Sequence, residues 1–357
     1  MEFSNLTLTV TEDCNFRCSY CYQSKRKKYL DLSPIKNAIE FFFPFLNEEC
    51  YIHFYGGEPL LAFDQIREAV DYIQIINKEN NKRVRYTIST NGSLLNEEIL
   101  NFLSCNKFFV LLSFDGFAQD ITKKKGSFNQ IVSKIEELLK TPHIELETNS
   151  VFTEETIGYL SKSIQFLCEL GVPNIDYVLS KIIPWKHSSL KRLKKELAFL
   201  RGLLLSIYTK TQYIPLVDFR EDSRKGIFSC SAGKDRMALM PDGKLWGCDL
   251  FADYYKERIG TKEFHKYCFG DLNSFVQNYK KIYPGILANY SNLRMDRNFT
   301  QGTRCIECKD LGSCGSCPVD NLFSSSDIRK IAPWACEIKK IFRQEKKLFW
   351  KELEGVG

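Results

Sequence analysis

Near the start of the chain stands Leu6-Thr-Leu-Thr-Val10-Thr-Glu-Asp-Cys14-Asn-Phe-Arg-Cys18-Ser-Tyr-Cys21, a short apolar run followed by three closely spaced cysteines. Apolar residues alternate with Thr in the first part, which is typical of a β-strand. The Cys-x3-Cys-x2-Cys run follows directly, in a loop at the carboxyl end of that strand. Each of three such thiolates can bind one iron of a cubane cluster, which leaves a fourth iron open to a small chelating molecule. A zinc site is the alternative.

The strand pattern recurs along the chain, separated by segments of helical periodicity. Short runs rich in β-branched or aromatic residues predict six strands: Leu6–Val10, Tyr51–Tyr55, Val84–Thr90, Phe108–Phe114, Ile144–Val151 and Asn174–Leu179. The segments between them predict helices: Pro34–Phe43, with Ser33 as its cap, Phe63–Asn77, Glu97–Ser104, Phe128–Lys140 and Thr156–Leu170. This alternation indicates an α/β fold with a parallel sheet, either open or a partial barrel, whose functional residues follow the strands.

The composition predicts a globular protein with one large domain and a smaller one. The chain has 357 residues, 44% of them hydrophobic, which is enough for a sizeable core. A basic helix at about 188–209 closes the first domain, and short Gly-rich and Cys-rich segments begin at about Tyr213. We expect a first domain over residues 1–212, a second over 213–336 and a charged C-terminal helix over 337–357.

Cysteine usage and charge limit the class of function. No signal-peptide pattern and no membrane-spanning apolar run is present, so we expect a cytoplasmic protein without a membrane partner. Fourteen cysteines in a reducing compartment indicate metal or redox chemistry. The short basic runs at Lys25–Lys28, Lys123–Lys125 and Lys191–Lys195 are interpreted as solvated surface lysines, not as a nucleic-acid site. The net charge of +6 also fits a peptide or another acidic partner.

The cysteine loop, with the aromatic Tyr20 directly before Cys21, resembles the signature of the radical S-adenosylmethionine (SAM) superfamily. After the second predicted strand, Tyr55-Gly-Gly-Glu-Pro59 resembles that family's Gly-Gly-Glu-Pro motif. The resemblance implies a partial (β/α)6 barrel in which Cys14, Cys18 and Cys21 hold a 4Fe-4S cluster that binds SAM. The bound SAM would be cleaved reductively to methionine and a 5′-deoxyadenosyl radical.

The same resemblance implies a set of SAM-binding residues at the strand ends. The two glycines of the motif would let the backbone approach the ligand, and Glu58 would accept hydrogen bonds from the SAM ammonium group. Polar residues after the third and fourth strands and on the fifth strand would contact its ribose and carboxylate. The expected cofactor-binding residues are Tyr20, Gly56, Gly57, Glu58, Ser89, Asn91, Ser113 and Asn149.

A second group of cysteines lies in the C-terminal third. Considered alone, its Cys-x2-Cys pairs are also compatible with a zinc ribbon. Behind a radical SAM domain the pattern resembles a SPASM domain, which binds two auxiliary 4Fe-4S clusters. The resemblance assigns Cys305, Cys308, Cys314 and Cys336 to an outer cluster, and Cys230, Cys248 and Cys317 to an inner one. Cys50, Cys105 and Cys168 are interpreted as buried core thiols.

Two departures from the SPASM pattern concern the inner cluster. The spacing from Cys314 to Cys317 is one residue short, and no cysteine shortly before Cys230 supplies a fourth ligand. The inner cluster therefore either keeps an open iron or is completed by Cys268. Asp249, directly after Cys248, matches the proton acceptor of sulfatase-maturing enzymes, and hydrogen bonding within its hairpin is the equal alternative.

The resemblance to SPASM-containing family members implies a peptide-modifying radical SAM enzyme with three 4Fe-4S clusters, which forms thioether or carbon–carbon crosslinks or oxidises a side chain. The expected partners are a precursor peptide or protein and a flavodoxin- or ferredoxin-type reductant. Because few residues precede the first strand, a separate protein or the enzyme's own surface would hold a leader peptide. Formylglycine formation is one alternative, and a non-catalytic zinc-binding interaction module is the other.

Overall fold

The computed structural model describes residues 1–220, 230–293, 304–311 and 314–355. The strands are β1 (Phe3–Thr11), β2 (Leu46–Gly56), β3 (Arg83–Thr90), β4 (Phe109–Ser113), β5 (Glu145–Phe152), β6 (Asn174–Leu179), β7 (Arg236–Leu239), β8 (Lys244–Trp246) and β9 (Cys268–Asp271). The helices are α1 (Leu32–Phe42), α2 (Phe63–Asn80), α3 (Glu97–Cys105), α4 (Gln119–Thr122), α5 (Ser127–Lys140), α6 (Leu160–Glu169), α7 (His187–Thr211), α8 (Asp249–Tyr255), α9 (Lys262–Tyr267), α10 (Leu272–Asn292), α11 (Pro318–Ser325) and α12 (Pro333–Glu354).

The strands form one sheet in the order β6-β5-β4-β3-β2-β1-β7-β8-β9. Strands β1 to β6 pair in parallel, each with its neighbour in sequence, and β6 does not pair with β1 within the described residues. This arrangement confirms the predicted α/β fold with a partial six-stranded barrel. Because all six strands run the same way, their carboxyl ends lie along one edge, where the loops that follow them meet.

The sheet continues into the C-terminal region. Strand β7 pairs in parallel with β1, and β8 and β9 extend the sheet as antiparallel strands. The hairpin between β7 and β8 therefore lies beside the strand that carries the first cysteine loop. Residues far apart in sequence are brought to the same part of the sheet by this pairing.

Helix starts follow local capping, with one difference from the sequence analysis. Helix α3 begins where predicted, because the Asn96 side chain accepts a hydrogen bond from the Ile99 N–H at 2.9 Å. Helix α1 begins at Leu32 with Asp31 as its N-cap, so Ser33 is not the cap as expected. The Ile35 N–H donates to the Asp31 carbonyl at 3.4 Å and closes the first turn earlier.

The C-terminal helix α12 begins at Pro333, four residues before the predicted start, so Cys336 lies in its first turn. Proline is favoured there because its missing N–H would be unpaired in any helix. The helix packs on α7, where Arg201 forms a buried ion pair of 2.6 Å with Glu345. None of the helices within the described ranges has an apolar stretch long enough to cross a membrane.

The ends of β1 and β2 approach each other more closely than side chains would allow. The Gly57 N–H donates to the Thr11 carbonyl at 3.0 Å, and the Glu58 N–H donates to the Asp13 carbonyl at 2.8 Å. A Cβ atom added at Gly56 or Gly57 would lie 2.3 Å from the carbonyl oxygen of Thr11 or Asp13, respectively. The two glycines are therefore required for backbone packing against the cysteine loop, a reason the sequence analysis did not anticipate.

We predict that Gly57→Ala lowers the free energy of unfolding by about 1–3 kcal/mol, because the new methyl group overlaps the Asp13 carbonyl. Iron retention should fall with it, because the displaced residue adjoins Cys14. Thermal unfolding and iron analysis after anaerobic reconstitution measure both effects.

The matched control is Gly202→Ala in α7, where an added Cβ meets nothing within 4 Å. This substitution should leave stability unchanged or raise it slightly, because Ala favours a helix over Gly. Equal stability and equal iron content for Gly57→Ala and wild type would contradict the packing argument.

Candidate active site

A large cavity opens at the carboxyl ends of the parallel strands. Its volume is about 1490 Å³. Its wall includes all three cysteines of the first loop and residues from the ends of β2 to β6. The β7–β8 hairpin, the segment before α11 and one side of α12 complete the wall. The cavity therefore joins the region of the sheet edge to the Cys-rich region.

The loop after β1 presents Cys14, Cys18 and Cys21 to this cavity. The Cys14 N–H is held by the Asp13 carboxylate at 2.8 Å, and the Phe16 N–H donates to the Cys14 sulfur at 3.4 Å. Phe16 itself is buried and anchors the loop in the protein. Three thiols on one ordered loop fit the donor set of a cluster with one open iron.

Burial favours the protonated form of two of these thiols, Cys14 and Cys18. It raises the pKa of Cys18 to about 11, although Lys123 and then Lys25 oppose the shift. The pKa of Cys14 is also raised by burial. Iron must displace the thiol protons, so cluster binding here releases protons and is favoured by the two nearby cations.

Glu58 is fully buried and is bonded to the protein itself. Its carboxylate accepts hydrogen bonds from the Leu60 N–H at 3.1 Å, the Thr90 hydroxyl at 2.7 Å and the Asn91 N–H at 2.7 Å. Burial raises the pKa of Glu58 to about 7 in spite of these three bonds. Glu58 thus ties the end of β2 to the end of β3, and it is not among the described residues that line the cavity.

The other predicted cofactor-binding residues do meet at the cavity. Its lining includes Tyr20, Gly56, Gly57, Ser89, Asn91, Ser113 and Asn149. The Ser89 hydroxyl lies 2.9 Å from the His53 ring nitrogen, and the Asn91 amide donates to the Asn15 side chain at 2.9 Å. These bonds orient the polar groups toward one space, as expected for a single ligand that crosses the strand ends.

Lys123 is a candidate site residue that the sequence analysis placed among surface lysines, and that interpretation is wrong. Its ammonium group is buried, 3.3 Å from the Asp115 carboxylate and 2.7 Å from the Ser113 hydroxyl. Asp115 also accepts hydrogen bonds from the Tyr20 hydroxyl at 2.9 Å and the Thr122 hydroxyl at 2.6 Å. The buried carboxylate stabilises the lysine inside the protein, and this pairing across eight residues left no periodic signal in the sequence.

The cysteines assigned to the inner cluster line the same cavity. Burial raises the pKa of Cys317 to about 12, and the Cys230 thiol contributes to the increase. Burial also raises the pKa of Cys248 well above its usual value, with a contribution from Cys317. Cys317 thus lies near both Cys230 and Cys248, and all three line the cavity.

The outer group is separate. Burial raises the pKa of Cys336, and the thiols of Cys314, Cys305 and Cys308 raise it further. Cys314 reaches the cavity, whereas Cys305, Cys308 and Cys336 are not among the described residues on its wall. The Cys336 thiol therefore lies near the three other thiols assigned to the outer group, and the assignment of the cysteines to two clusters stays a prediction.

Cys268 and Asp249 have local partners. The Cys268 thiol is buried between β8 and β9, donating to the Leu245 carbonyl and accepting from the Gly270 N–H. Asp249 is buried in the first turn of α8 and accepts a 3.5 Å hydrogen bond from the Cys248 thiol. Neither is among the described residues of the cavity wall.

Cys50, Cys105 and Cys168, which the sequence analysis interpreted as buried core thiols, differ in their exposure. Cys50 is buried and Cys168 half-buried, but Cys105 is exposed at the end of α3. Within the described ranges, no three His, Cys, Asp or Glu side chains converge on the position of one metal ion. A cubane cluster holds its thiolates on separate irons, so the two proposed groups do not require such convergence.

Comparison with known proteins places this site in a family. Residues 8–167 match the model of the radical SAM superfamily. An uncharacterized protein of Methanocaldococcus jannaschii is 34% identical over 191 residues, covering 52% of this chain and 66% of the relative. The radical SAM cyclopropyl synthase TigE of Paramaledivibacter caminithermalis is 22% identical, covering 98% of this chain and 76% of the relative.

A cysteine-type anaerobic sulfatase-maturating enzyme of Clostridium novyi is 30% identical over 46% of this chain and 47% of its own length. The chain thus spans about two thirds of the first of these relatives and about half of this one. The fold matches a solved structure of native anSMEcpe with bound AdoMet, with a TM-score of 0.78 at 20% identity over 99% of this chain and 100% of that one. With the three-cysteine loop at the sheet edge, the family match shows that residues 8–167 form a radical SAM domain.

Proposed function

We propose that this enzyme cleaves SAM reductively and uses the resulting radical to modify a ribosomally made peptide, by crosslinking or by oxidation of a side chain. The observation that carries the proposal is that one cavity is lined by the loop of Cys14, Cys18 and Cys21 and by the inner group Cys230, Cys248 and Cys317. A substrate held in this cavity is in reach of both groups of thiolates.

Three 4Fe-4S clusters are proposed, one on each group of cysteines. When bound, the cluster of the first loop supplies the electron that cleaves SAM. Cys268 is engaged between β8 and β9, so we propose that the inner group keeps only three protein ligands and one open iron. A flavodoxin- or ferredoxin-type protein is the proposed electron donor, and a separate protein is one proposed holder of a leader peptide.

The chain's own residues bind and orient SAM. Ser89, Asn91, Ser113 and Asn149 offer hydrogen bonds along the strand ends. We add Lys123 as the cation that meets the SAM carboxylate, because its buried ammonium group lies on the cavity wall beside Ser113. Glu58 acts by positioning Thr90 and Asn91, through the bonds that it already accepts.

Formylglycine formation on a Cys or Ser side chain is the second candidate function. It is favoured by the 30% identity to the sulfatase-maturating enzyme of Clostridium novyi and by the position of Asp249 directly after Cys248. The carboxyl group of Asp249 is within 3.5 Å of the Cys248 sulfur, so it can influence the proton on any group held there.

The central experiment compares iron, zinc and 5′-deoxyadenosine in wild type, Cys18→Ala and Cys317→Ala after anaerobic reconstitution. Wild type should hold about twelve irons, four for each cluster. Cys18→Ala should form no 5′-deoxyadenosine, because its cluster loses one of three ligands. Cys317→Ala should lose about four irons and the modified product while still forming 5′-deoxyadenosine. Zinc loss at constant iron in Cys317→Ala would support the zinc-ribbon alternative instead.

We predict that Lys123→Met weakens SAM binding by about 10- to 100-fold, the loss expected for a hydrogen bond to a charged group. Equilibrium dialysis of SAM measures the change, and iron content checks that the cluster is retained. Lys123→Arg should restore part of the affinity because it keeps the charge. Lys125→Met is the matched control, because Lys125 is exposed in the same segment. Unchanged affinity in a folded Lys123→Met enzyme would remove Lys123 from the SAM site.

For the second candidate, Asp249→Asn should abolish oxidation of a Cys- or Ser-containing peptide while 5′-deoxyadenosine still forms. Mass spectrometry of the peptide provides the measurement. The control is Asp253→Asn, one turn later in α8, whose carboxylate is buried against Lys256 at 2.8 Å. Normal oxidation by the Asp249→Asn enzyme would exclude Asp249 as the proton acceptor.

A further inference from the structure

One side of helix α12 forms a basic wall of the cavity. Six charged residues of this helix line the cavity, and five of them are cationic: Lys339, Arg343, Lys346, Lys347 and Lys351, with Glu354 as the exception. Four of the five recur at intervals of four residues, which places them in one stripe along the helix. We call these five residues the basic wall.

Two acidic residues of the same helix point the other way. Glu345 and Glu352 form ion pairs of 2.6 and 3.3 Å with Arg201 of α7. The side of the helix that lines the cavity therefore carries five cations and one carboxylate, Glu354. This separation of charge leaves the cavity side strongly positive, which packing against α7 does not require.

The described residues of the cavity wall include nine Lys and Arg against four Asp and Glu, and ion pairs within the basic wall reduce this difference only in part. Lys347 lies 2.7 Å from the Asp310 carboxylate, and Arg343 lies 3.9 Å from the same group. Arg343 also donates to the Cys314 carbonyl at 2.9 Å, and Lys339 donates to the Gly315 carbonyl. One carboxylate thus serves two cations, while carbonyl groups bind the cations without neutralising them.

Apolar side chains face the cavity from another part of its wall. Val178 of β6 is 42% exposed and Ile182, just beyond that strand, is 38% exposed, and both line the cavity. Exposed aliphatic side chains of this size favour a partner with apolar groups of its own. The nearby Lys181 forms an ion pair of 2.8 Å with Asp320. Its charge is therefore compensated beside the apolar residues.

We propose that the basic wall, with Val178 and Ile182, docks an acidic peptide segment that also carries apolar side chains. The inference rests on the proposed peptide-modifying function and names the chemistry of the substrate. Charge complementarity selects the acidic residues, and the aliphatic part of the cavity selects a peptide over a nucleic acid. The stripe from Lys339 to Lys351 spans about 18 Å at the helical rise per residue. An extended peptide covers this length with about five or six residues.

The basic wall lies on the same cavity as two groups of cysteines. Cys314 and Cys317 lie on the same cavity as the wall, as does the loop of Cys14 to Cys21. A peptide anchored along α12 by its acidic residues would therefore continue toward the cysteine groups. The acidic segment would bind to α12 and thereby hold a neighbouring residue of the peptide close to the cysteine groups.

The test measures binding of three labelled peptides of equal length to the reconstituted enzyme by fluorescence anisotropy. Each peptide alternates Ala and Leu with Glu, Gln or Lys. The Glu peptide should bind about tenfold or more tightly than the Gln peptide, with the difference falling as salt rises. The double variant Lys346→Glu/Lys351→Glu should remove this preference, and Lys346→Gln/Lys351→Gln should reduce it. The charge-matched control Lys191→Glu/Lys195→Glu, on exposed positions of α7, should keep it.

Equal binding of the three peptides by wild type, or equal loss in the α7 control, would overturn the inference. Tighter binding of a single-stranded DNA of matched charge would also overturn it, in favour of a nucleic-acid partner. Formation of 5′-deoxyadenosine in the absence of peptide is measured in parallel. Absence of a charge preference in a wild-type enzyme that cleaves SAM normally contradicts the docking inference alone, whereas absent SAM cleavage contradicts the proposed function.

Discussion

The backbone contact between the ends of β1 and β2 is the constraint on which the site depends. Only glycine at positions 56 and 57 allows the second strand to lie against the Thr11 and Asp13 carbonyls. The contact places the cysteine loop directly beside the end of β2, and Glu58 then ties that end to β3 through Thr90 and Asn91. A shift of this contact would displace the thiols and the polar strand ends together, because they share one hydrogen-bonded edge.

Burial and nearby positive charge shift the pKa of the Cys18 thiol at this edge in opposite directions. Removing thiols from water favours their neutral form, which is why the pKa of Cys18 rises to about 11. The cations Lys123 and Lys25 favour the thiolate, and Lys123 is itself stabilised by the buried Asp115. The result is a site in which negative charge on a bound cluster or on a carboxylate ligand is compensated by fixed positive charge.

The C-terminal region contributes cysteines and cationic residues to the wall of the same cavity. Its hairpin joins the sheet through β7, which brings Cys248 near the loop that follows the neighbouring strand β1. Helix α12 contributes a cationic side, since two of its carboxylates, Glu345 and Glu352, form ion pairs with Arg201. A cavity of about 1490 Å³ is large enough for both a small cofactor and part of a peptide.

The sequence by itself determined the features that depend on short spacings. The three-cysteine run and the alternation of strands and helices are readable from local pattern, and the structure confirms the alternation. The polar residues at the ends of β3, β4 and β5 were identified through the family resemblance, and their role in SAM binding stays a prediction. The division of the later cysteines into two groups followed from resemblance, and the mutual effects of their thiols support it.

Only the tertiary structure decided which residues of these segments face one another. The burial of Lys123, the internal bonds of Glu58, the steric need for Gly57 and the basic side of α12 each depend on contacts between segments far apart in the chain. Lys123 and Lys125 look alike in sequence, yet one is buried against a carboxylate and the other is exposed. Local pattern records how a segment alternates between solvent and core, but the free energy of a buried charge is set by its partner across the fold.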